Sequence, residues 1–221
     1  MELKGKKIAF LGDSITQGCG VANAENIYWQ QIGKLTGAQV YGYGIGGTRI
    51  AKQHVPSIYT DIDDKYFSAR VGDMIPDADV VVVFGGTNDF GHGDAPLGAM
   101  SDRTEDTFYG ACHVLMEKLI RRYPDGKLVV MTPLRRYRPG EDDGLFNSIG
   151  IRQVGTLETY VGILRQVAGY YGAVVVDLFT ICPIQPKLPE HQARYMPDGL
   201  HPNDTGHALI AACLLKALQD L

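Results

Sequence analysis

Residues 79–86 read DVVVVFGG, four valines and a phenylalanine between an acid and a pair of glycines. A strand that is apolar on both faces must be covered by helices on both sides, as the strands of parallel sheets are. Similar runs occur at 7–12, 38–44, 127–133 and 173–179. Helical patterns lie between them, at 26–37, 107–126, 156–172 and 204–221. The alternation predicts an α/β fold, an open, doubly wound parallel sheet of about five strands.

The length of the chain, 221 residues, is typical of one large α/β domain or two small ones. No internal repeat, low-complexity tract or Pro/Ser-rich linker divides the sequence. The Gly/Pro-rich stretches at 85–104 and 135–150 each follow a predicted strand, so we interpret them as long loops at one edge of the sheet. We therefore expect a single domain over residues 1–221.

Charge and composition exclude several classes of partner. The formal net charge is -4 and the longest basic run is RRYR at 135–138, so no nucleic-acid partner is expected. No run of 18 apolar residues is present, so no membrane span is predicted, and the apolar segment near the N-terminus is too short for a signal peptide. Four cysteines without a CxxC pair are typical of a reduced, cytoplasmic setting. The sequence defines no oligomeric interface.

No metal or other cofactor is expected. The histidines and cysteines lack the paired spacings of zinc sites, and no run of carboxylates resembles a calcium loop. The chemistry must then come from side chains near the carboxyl ends of the strands, where ligands bind in sheets of this kind. Five polar or Gly-rich turns lie at that edge: GDSITQG (12–18), GYGIGGTR (42–49), GGTNDFGHG (85–93), TPLRRYR (132–138) and YMPDGLHPND (195–204).

Ser14 stands at the end of the first strand and the start of a helix, where the surrounding amides can hold a negative oxygen. A helix cap would explain the same residues. A serine also needs a base to act as a nucleophile, and His201 differs from the other five histidines because Asp198 precedes it by three residues. This spacing lets the carboxylate bind Nδ1–H and leaves Nε2 to face a serine. A capped loop would explain the Asp–His pair alone; together with Ser14 it predicts a catalytic triad.

Acyl transfer also requires donors for the developing oxyanion, and two loops supply candidates. Asn88 carries a short side-chain amide directly after the central strand, and the amide of Gly47 lies in the glycine-rich turn after the second strand. The alternative for Asn88 is a turn residue that binds its own backbone. The alternative for the glycines is relief of crowding in a tight turn.

These blocks, in this order, resemble those of the GDSL/SGNH hydrolase family. GDSIT implies that Ser14 is the nucleophile and supplies one oxyanion amide, GIGGT implies the amide of Gly47, and GGTND implies the side chain of Asn88. DGLHPN implies Asp198 as the orienting acid and His201 as the base. The blocks span residues 12–203. The resemblance implies a flavodoxin-like, three-layer α/β/α sandwich and metal-free hydrolysis of an ester through an acyl-serine intermediate.

One position departs from the pattern of that family. The glycine block often begins with an asparagine two residues before its first glycine, and Gly42 occupies that place here. A supporting hydrogen bond is therefore either missing or supplied by another residue.

The loops at 90–106 and 135–144 are poor in large hydrophobes, which favours a small acyl group on a polar alcohol. We predict removal of acetyl groups from a carbohydrate or a similar small-molecule ester; the alternative within the class is a lysophospholipase or short-chain lipase-like acylhydrolase. Two other classes stay open: a flavin- or nucleotide-binding protein whose GDSITQG loop holds phosphate, and a catalytically silent sugar-binding protein. Side chains that could contact a sugar, or equally lie on a solvated surface, are Arg49, His92, Arg135, Arg136, Tyr137 and Tyr195.

Overall fold

The central sheet is built from the five predicted runs. The computed structural model describes residues 1–57, 64–139 and 154–221. The strands are β1 (Lys7–Gly12), β2 (Gln39–Gly44), β3 (Val80–Phe84), β4 (Lys127–Met131) and β5 (Val174–Val176). All neighbouring pairs are parallel, in the order β2-β1-β3-β4-β5, which is the doubly wound order of flavodoxin-like sheets. The predicted fold class is confirmed.

Four long helices lie within two residues of the predicted starts and within four of the predicted ends. They are α2 (Tyr28–Thr36), α4 (Phe108–Arg122), α5 (Leu157–Tyr170) and α8 (Asp204–Gln219). Four short helices are α1 (Ser14–Gln17), α3 (Thr87–His92), α6 (Leu178–Ile181) and α7 (Pro189–Tyr195), and 3₁₀ turns lie at Ala24–Asn26 and Phe67–Asp73. The sequence predicted no helix for α3, α6 and α7, because a helix of one or two turns shows too little periodicity.

Both faces of the sheet are covered, which gives three layers. All five residues of β3 are at most 2% exposed. Val81 and Val83 belong to an apolar cluster that includes the inner faces of α4 and α5. Val80, Val82 and Phe84 belong to a second cluster, with the inner faces of α2 and α8. The continuous valine run is therefore explained by burial on two sides.

The register of the sheet places the reactive loops side by side. Gly12, the last residue of β1, pairs with Gly44 of β2 and with Phe84 of β3. The three chains leave the sheet from the same level, and the segments that follow carry Ser14, Gly47 and Asn88. This arrangement brings residues far apart in sequence to one edge.

The part of the chain that the structure describes contains neither a membrane-spanning helix nor a cluster of metal ligands. None of its helices is both long enough and apolar enough to cross a membrane. Within the same residues, no three His, Cys, Asp or Glu side chains gather as a metal site would require. The four cysteines are free thiols. The cytoplasmic setting and the single domain stay predictions.

Candidate active site

Ser14 is the first residue of α1, a helix of one turn that begins directly after β1. Asp13 caps this helix, because its Oδ1 accepts a hydrogen bond of 3.0 Å from the Ile15 amide. Burial raises the pKa of Asp13 to about 7, against the lowering effect of that bond. Ser14 itself is 6% exposed, and its amide, at the helix start, has no acceptor within the helix. The nucleophile candidate and its own amide, a donor without an acceptor in the helix, thus lie at the same helix terminus.

His201 and Asp198 complete a chain of hydrogen bonds that starts at Ser14. Ser14 Oγ lies 3.0 Å from His201 Nε2, and His201 Nδ1 lies 2.6 Å from Asp198 Oδ2. The other oxygen of Asp198 accepts from the amides of Leu200 (2.9 Å) and His201 (2.6 Å). Partial burial would raise the pKa of Asp198, but these bonds outweigh it and hold the pKa below its ordinary value. An ionised Asp198 can only accept, so Nδ1 carries the proton and Nε2 accepts from the Ser14 hydroxyl.

The turn that carries Asp198 and His201 is held by backbone contacts on two sides. The Tyr137 amide donates to the Gly199 carbonyl at 2.8 Å. Gly199 has a φ of 76°, and a side chain there would overlap the carbonyl oxygen of Tyr137. On the other side, Gly20 packs so closely on Pro202 that a Cβ would overlap the Pro202 carbonyl. These contacts fix the turn against the segment after β4 and the loop after α1.

The glycine-rich loop forms a tight turn beside Ser14. The turn is closed by a bond from the Thr48 amide to the Ile45 carbonyl (3.4 Å), and Gly47 lies at its third position with a φ of 75°. A positive φ at this position favours glycine, which explains the residue type. Among the described residues the Gly47 amide has no hydrogen-bond acceptor. A Cβ on Gly46 would lie 3.7 Å from the Cβ of Ser14, so the turn packs against the nucleophile.

The side chain of Asn88, which follows β3, is hydrogen-bonded to this same turn. Asn88 is 3% exposed and is the second residue of α3. Its Nδ2 donates to the Thr48 carbonyl at 2.9 Å. An amide nitrogen has two hydrogens, so the second hydrogen is available for an oxyanion. The structure thus brings together all five residues that the sequence singled out for the triad and the oxyanion hole.

Two buried charged residues that the sequence analysis missed hold the loops in place. Arg70 donates to the carbonyls of Tyr43 (2.9 Å) and Gly12 (3.1 Å), at the ends of β2 and β1. Burial lowers the pKa of Arg70 to about 10. Asp89 accepts from the amides of Ile50 (3.0 Å) and Ala51 (2.9 Å), and burial raises its pKa to about 6. Asp89 had a signal, as an acid beside Asn88, whereas Arg70 had none.

Arg49 and His92, two of the residues suggested for sugar binding, contact each other. Arg49 is 2% exposed, and its guanidinium contacts His92 Nδ1 (2.6 Å), Ser57 Oγ (2.9 Å) and Asp64 Oδ1 (2.7 Å). Burial, with the charges of Arg49 and Arg136, lowers the pKa of His92 to about 4, so its imidazole is neutral. Arg49 is therefore an internal brace and does not offer its charge to solvent.

The other suggested contacts lie beside α3, α6 and α7. Arg136 is buried and donates to the Thr87 carbonyl at 2.9 Å. Half-buried Arg135 lies 5.0 Å over the ring of Phe179, and the ring of Tyr195 lies 5.2 Å from the Arg194 guanidinium. In the described residues, neither Arg135 nor Tyr195 makes a hydrogen bond or ring contact with the triad. The charged loop predicted at 135–144 is described only to residue 139, and its remaining residues lie outside the described part.

Gly42, the departure from the family pattern, lies beneath the indole of Trp29. A Cβ on Gly42 would overlap the Trp29 ring. The indole Nε1–H donates to the Thr16 carbonyl of α1 at 2.8 Å. The room that an asparagine would need is filled by an aromatic ring, and that ring supplies a hydrogen bond to the helix of the nucleophile.

The chain is similar to known proteins over most or all of its length. The model of the GDSL-like lipase/acylhydrolase family matches residues 10–209. One solved structure is 34% identical, with 100% of this chain and 99% of that chain covered and a TM-score of 0.84. A protein from Lactobacillus plantarum is 29% identical, with 98% of both chains covered and a TM-score of 0.80. The acetyl xylan esterase AlAXEase is 25% identical, with 96% of this chain and 98% of that chain covered and a TM-score of 0.64. No curated protein matches the chain.

Proposed function

The chain belongs to the GDSL-like lipase/acylhydrolase family and is a carboxylic ester hydrolase, and from this premise we propose that it removes small acyl groups, acetyl above all, from a carbohydrate or a similar polar ester. The observation that carries the proposal is the continuous chain of contacts from Ser14 through His201 to Asp198, at 3.0 Å and 2.6 Å. A hydroxyl, an imidazole and an ionised carboxylate in this order can activate the hydroxyl as a nucleophile.

The reaction proceeds through an acyl-serine intermediate. His201 Nε2 takes the proton of Ser14 as Oγ attacks the ester carbonyl, and the amides of Ser14 and Gly47 with the side chain of Asn88 stabilise the oxyanion. The imidazolium, stabilised by Asp198, returns the proton to the leaving alcohol. A water molecule then attacks the acyl-serine by the same sequence of proton transfers and releases the acid.

The preference for a small acyl group is supported by the loop that follows α3. Its larger apolar side chains, Leu97 and Met100, are partly buried and pack against the apolar cluster that includes the inner faces of α4 and α5. The loop therefore offers little apolar surface to a long acyl chain, which would need one to bind. The likeness to the acetyl xylan esterase supports an acetylated carbohydrate as the substrate.

The test is a panel of esters with the wild type and the Ser14→Ala variant. We expect release of acetate from acetylated sugars, faster turnover of nitrophenyl acetate than of nitrophenyl decanoate, and loss of nearly all activity in Ser14→Ala. Equal turnover of the acetyl and decanoyl esters would contradict the proposed acyl preference and favour the lipase-like alternative.

A phosphate-binding role for the GDSITQG loop is disfavoured by the start of α1. The carboxylate of Asp13 already accepts from the Ile15 amide, and the helix has only four residues. Covalent labelling of Ser14 by a fluorophosphonate, located by mass spectrometry, would exclude both a flavin-binding protein and a silent sugar binder. A flavin-loaded protein without labelling, or binding of acetylated sugar without release of acetate, would contradict the hydrolase.

A further inference from the structure

We propose that Gln17 is a positioning residue of the oxyanion hole, an inference that rests on the proposed esterase function. The Gly46 amide donates to Gln17 Oε1 at 2.7 Å. This bond joins the last residue of the nucleophile's helix to the Ile45–Gly46 peptide group, one residue before the Gly47 donor. Gln17 does not touch the reacting atoms; it acts through the turn that carries the Gly47 donor.

The backbone of Gln17 is fixed on three sides, so its side chain is well placed for this role. Its amide donates to the Asp13 carbonyl at 2.9 Å. The peptide carbonyl before it, on Thr16, accepts from the Trp29 indole at 2.8 Å. The glycine loop packs directly on it, because a Cβ on Gly44 would overlap the Gln17 amide nitrogen.

The turn itself needs such a contact at its centre. Its ends are held, since the Ile45 amide donates to the Gly12 carbonyl (3.2 Å) and the Thr48 carbonyl accepts from Asn88 (2.9 Å). The two central residues are glycines, which have the widest range of backbone conformations. Among the described residues, Gln17 is the only acceptor for the Gly46 amide. This bond holds the Ile45–Gly46 peptide group. Its loss lets the φ angle of Gly46 change, which turns the next peptide group and aims the Gly47 N–H away from the oxyanion.

The test compares Gln17→Met with Gln39→Met. Methionine keeps the length of the side chain but has no strong acceptor. Gln39 is an exposed glutamine of β2 whose Oε1 accepts only a weak bond, 3.3 Å, from Tyr41, so its variant is a matched control. We expect the kcat of Gln17→Met to fall about 10- to 100-fold and its KM to stay within about twofold of the wild type. This fall in kcat is at most that expected for removal of a whole oxyanion donor. The thermal midpoint should equal that of Gln39→Met.

A second readout separates positioning from a general structural role. Because the Gly47 amide that Gln17 positions and the Asn88 side chain stabilise the same oxyanion, Gln17→Met should cost less in an Asn88→Ala background than in the wild type. Equal costs in the two backgrounds would overturn the inference, as would a kcat within twofold of the control or a rise in KM alone. The proposed function fails separately, by absence of turnover and of Ser14 labelling in the wild type.

Discussion

Replacement of Gly199 by alanine should disable the enzyme through its backbone, without removal of any functional side chain. Gly199 lies between Asp198 and His201 on the catalytic turn. An alanine Cβ there would lie 1.8 Å from the Tyr137 carbonyl oxygen. Real Cβ atoms do not come within 3.0 Å of such an atom, so the turn must move by more than about 1 Å.

The expected magnitudes follow from this displacement. A misplacement of about 1 Å in a catalytic group costs about 100-fold in rate, so kcat should fall by about that factor. Stability should fall as well, because alanine at a φ of 76° costs about 1–2 kcal/mol and overpacking adds about 1–3 kcal/mol. The hydrogen bond from the Tyr137 amide would also be strained or lost.

Gly172→Ala is the matched control, because it shares the unfavourable φ without the overlap. Gly172 has a φ of 67°, and no atom lies within 4 Å of an added Cβ. This variant should lose about 1–2 kcal/mol of unfolding free energy in urea and keep the wild-type kcat. The kcat of both variants is measured with nitrophenyl acetate, below the unfolding transition of each protein. If Gly199→Ala keeps the kcat of Gly172→Ala, the contact with Tyr137 does not hold the triad, and our reading of this turn is wrong.

Three further predictions concern the oxyanion donor Asn88, the helix cap Asp13 and the contact between Gly42 and Trp29. Asn88→Ala should lower kcat about 10²- to 10³-fold with little change in KM, since it removes one oxyanion donor; a change in KM alone would argue for ground-state binding instead. Asp13→Asn should gain stability relative to the wild type as the pH rises from about 4 to 8. The folded pKa of about 7 exceeds the ordinary 3.8, so the wild type loses stability over that range, by up to a few kcal/mol in urea unfolding. A pH-independent difference would refute this. Gly42→Ala should destabilise the protein by about 1–3 kcal/mol and shift the fluorescence of Trp29, the single tryptophan; an unchanged spectrum would show that the ring does not occupy that space.

The strands could be predicted from the sequence because burial on both faces leaves continuous β-branched runs. Their ends could not, because tertiary contacts decide them. The fifth strand was predicted to residue 179 but ends at Val176. The next residue, Asp177, turns to accept from Thr132 Oγ1 (3.0 Å) and Arg165 Nη2 (2.6 Å). The third strand, predicted to residue 86, ends at Phe84, because Gly86 has a φ of 101° and caps α3.

The residues of the site that the sequence revealed are those whose turn chemistry is local, such as the Asp198–His201 spacing. Residues that hold the site from a distance left no pattern. Arg70 reaches the Gly12 carbonyl across 58 residues, and Tyr137 supports Gly199 only through backbone groups. The burial of a side chain was equally hard to predict from the sequence. Nothing in the residues around Arg49 indicates that it is buried beside Asp64. A side chain's role in such cases depends on the complete fold.

Formation of the site and choice of the strand register depend on the same glycines. A slip of one residue moves a strand by about 3.3 Å and reverses its side chains, which would take Ser14 out of reach of His201. Because the central strand is apolar on both faces, alternation of polarity discriminates weakly against such a slip. Gly12 and Gly44 discriminate strongly: they pair with each other, and any side chain at either would overlap the backbone or side chain of α1. Only the observed register places these two glycines at that contact, so the close approach that builds the nucleophile's turn also selects the pairing of the strands.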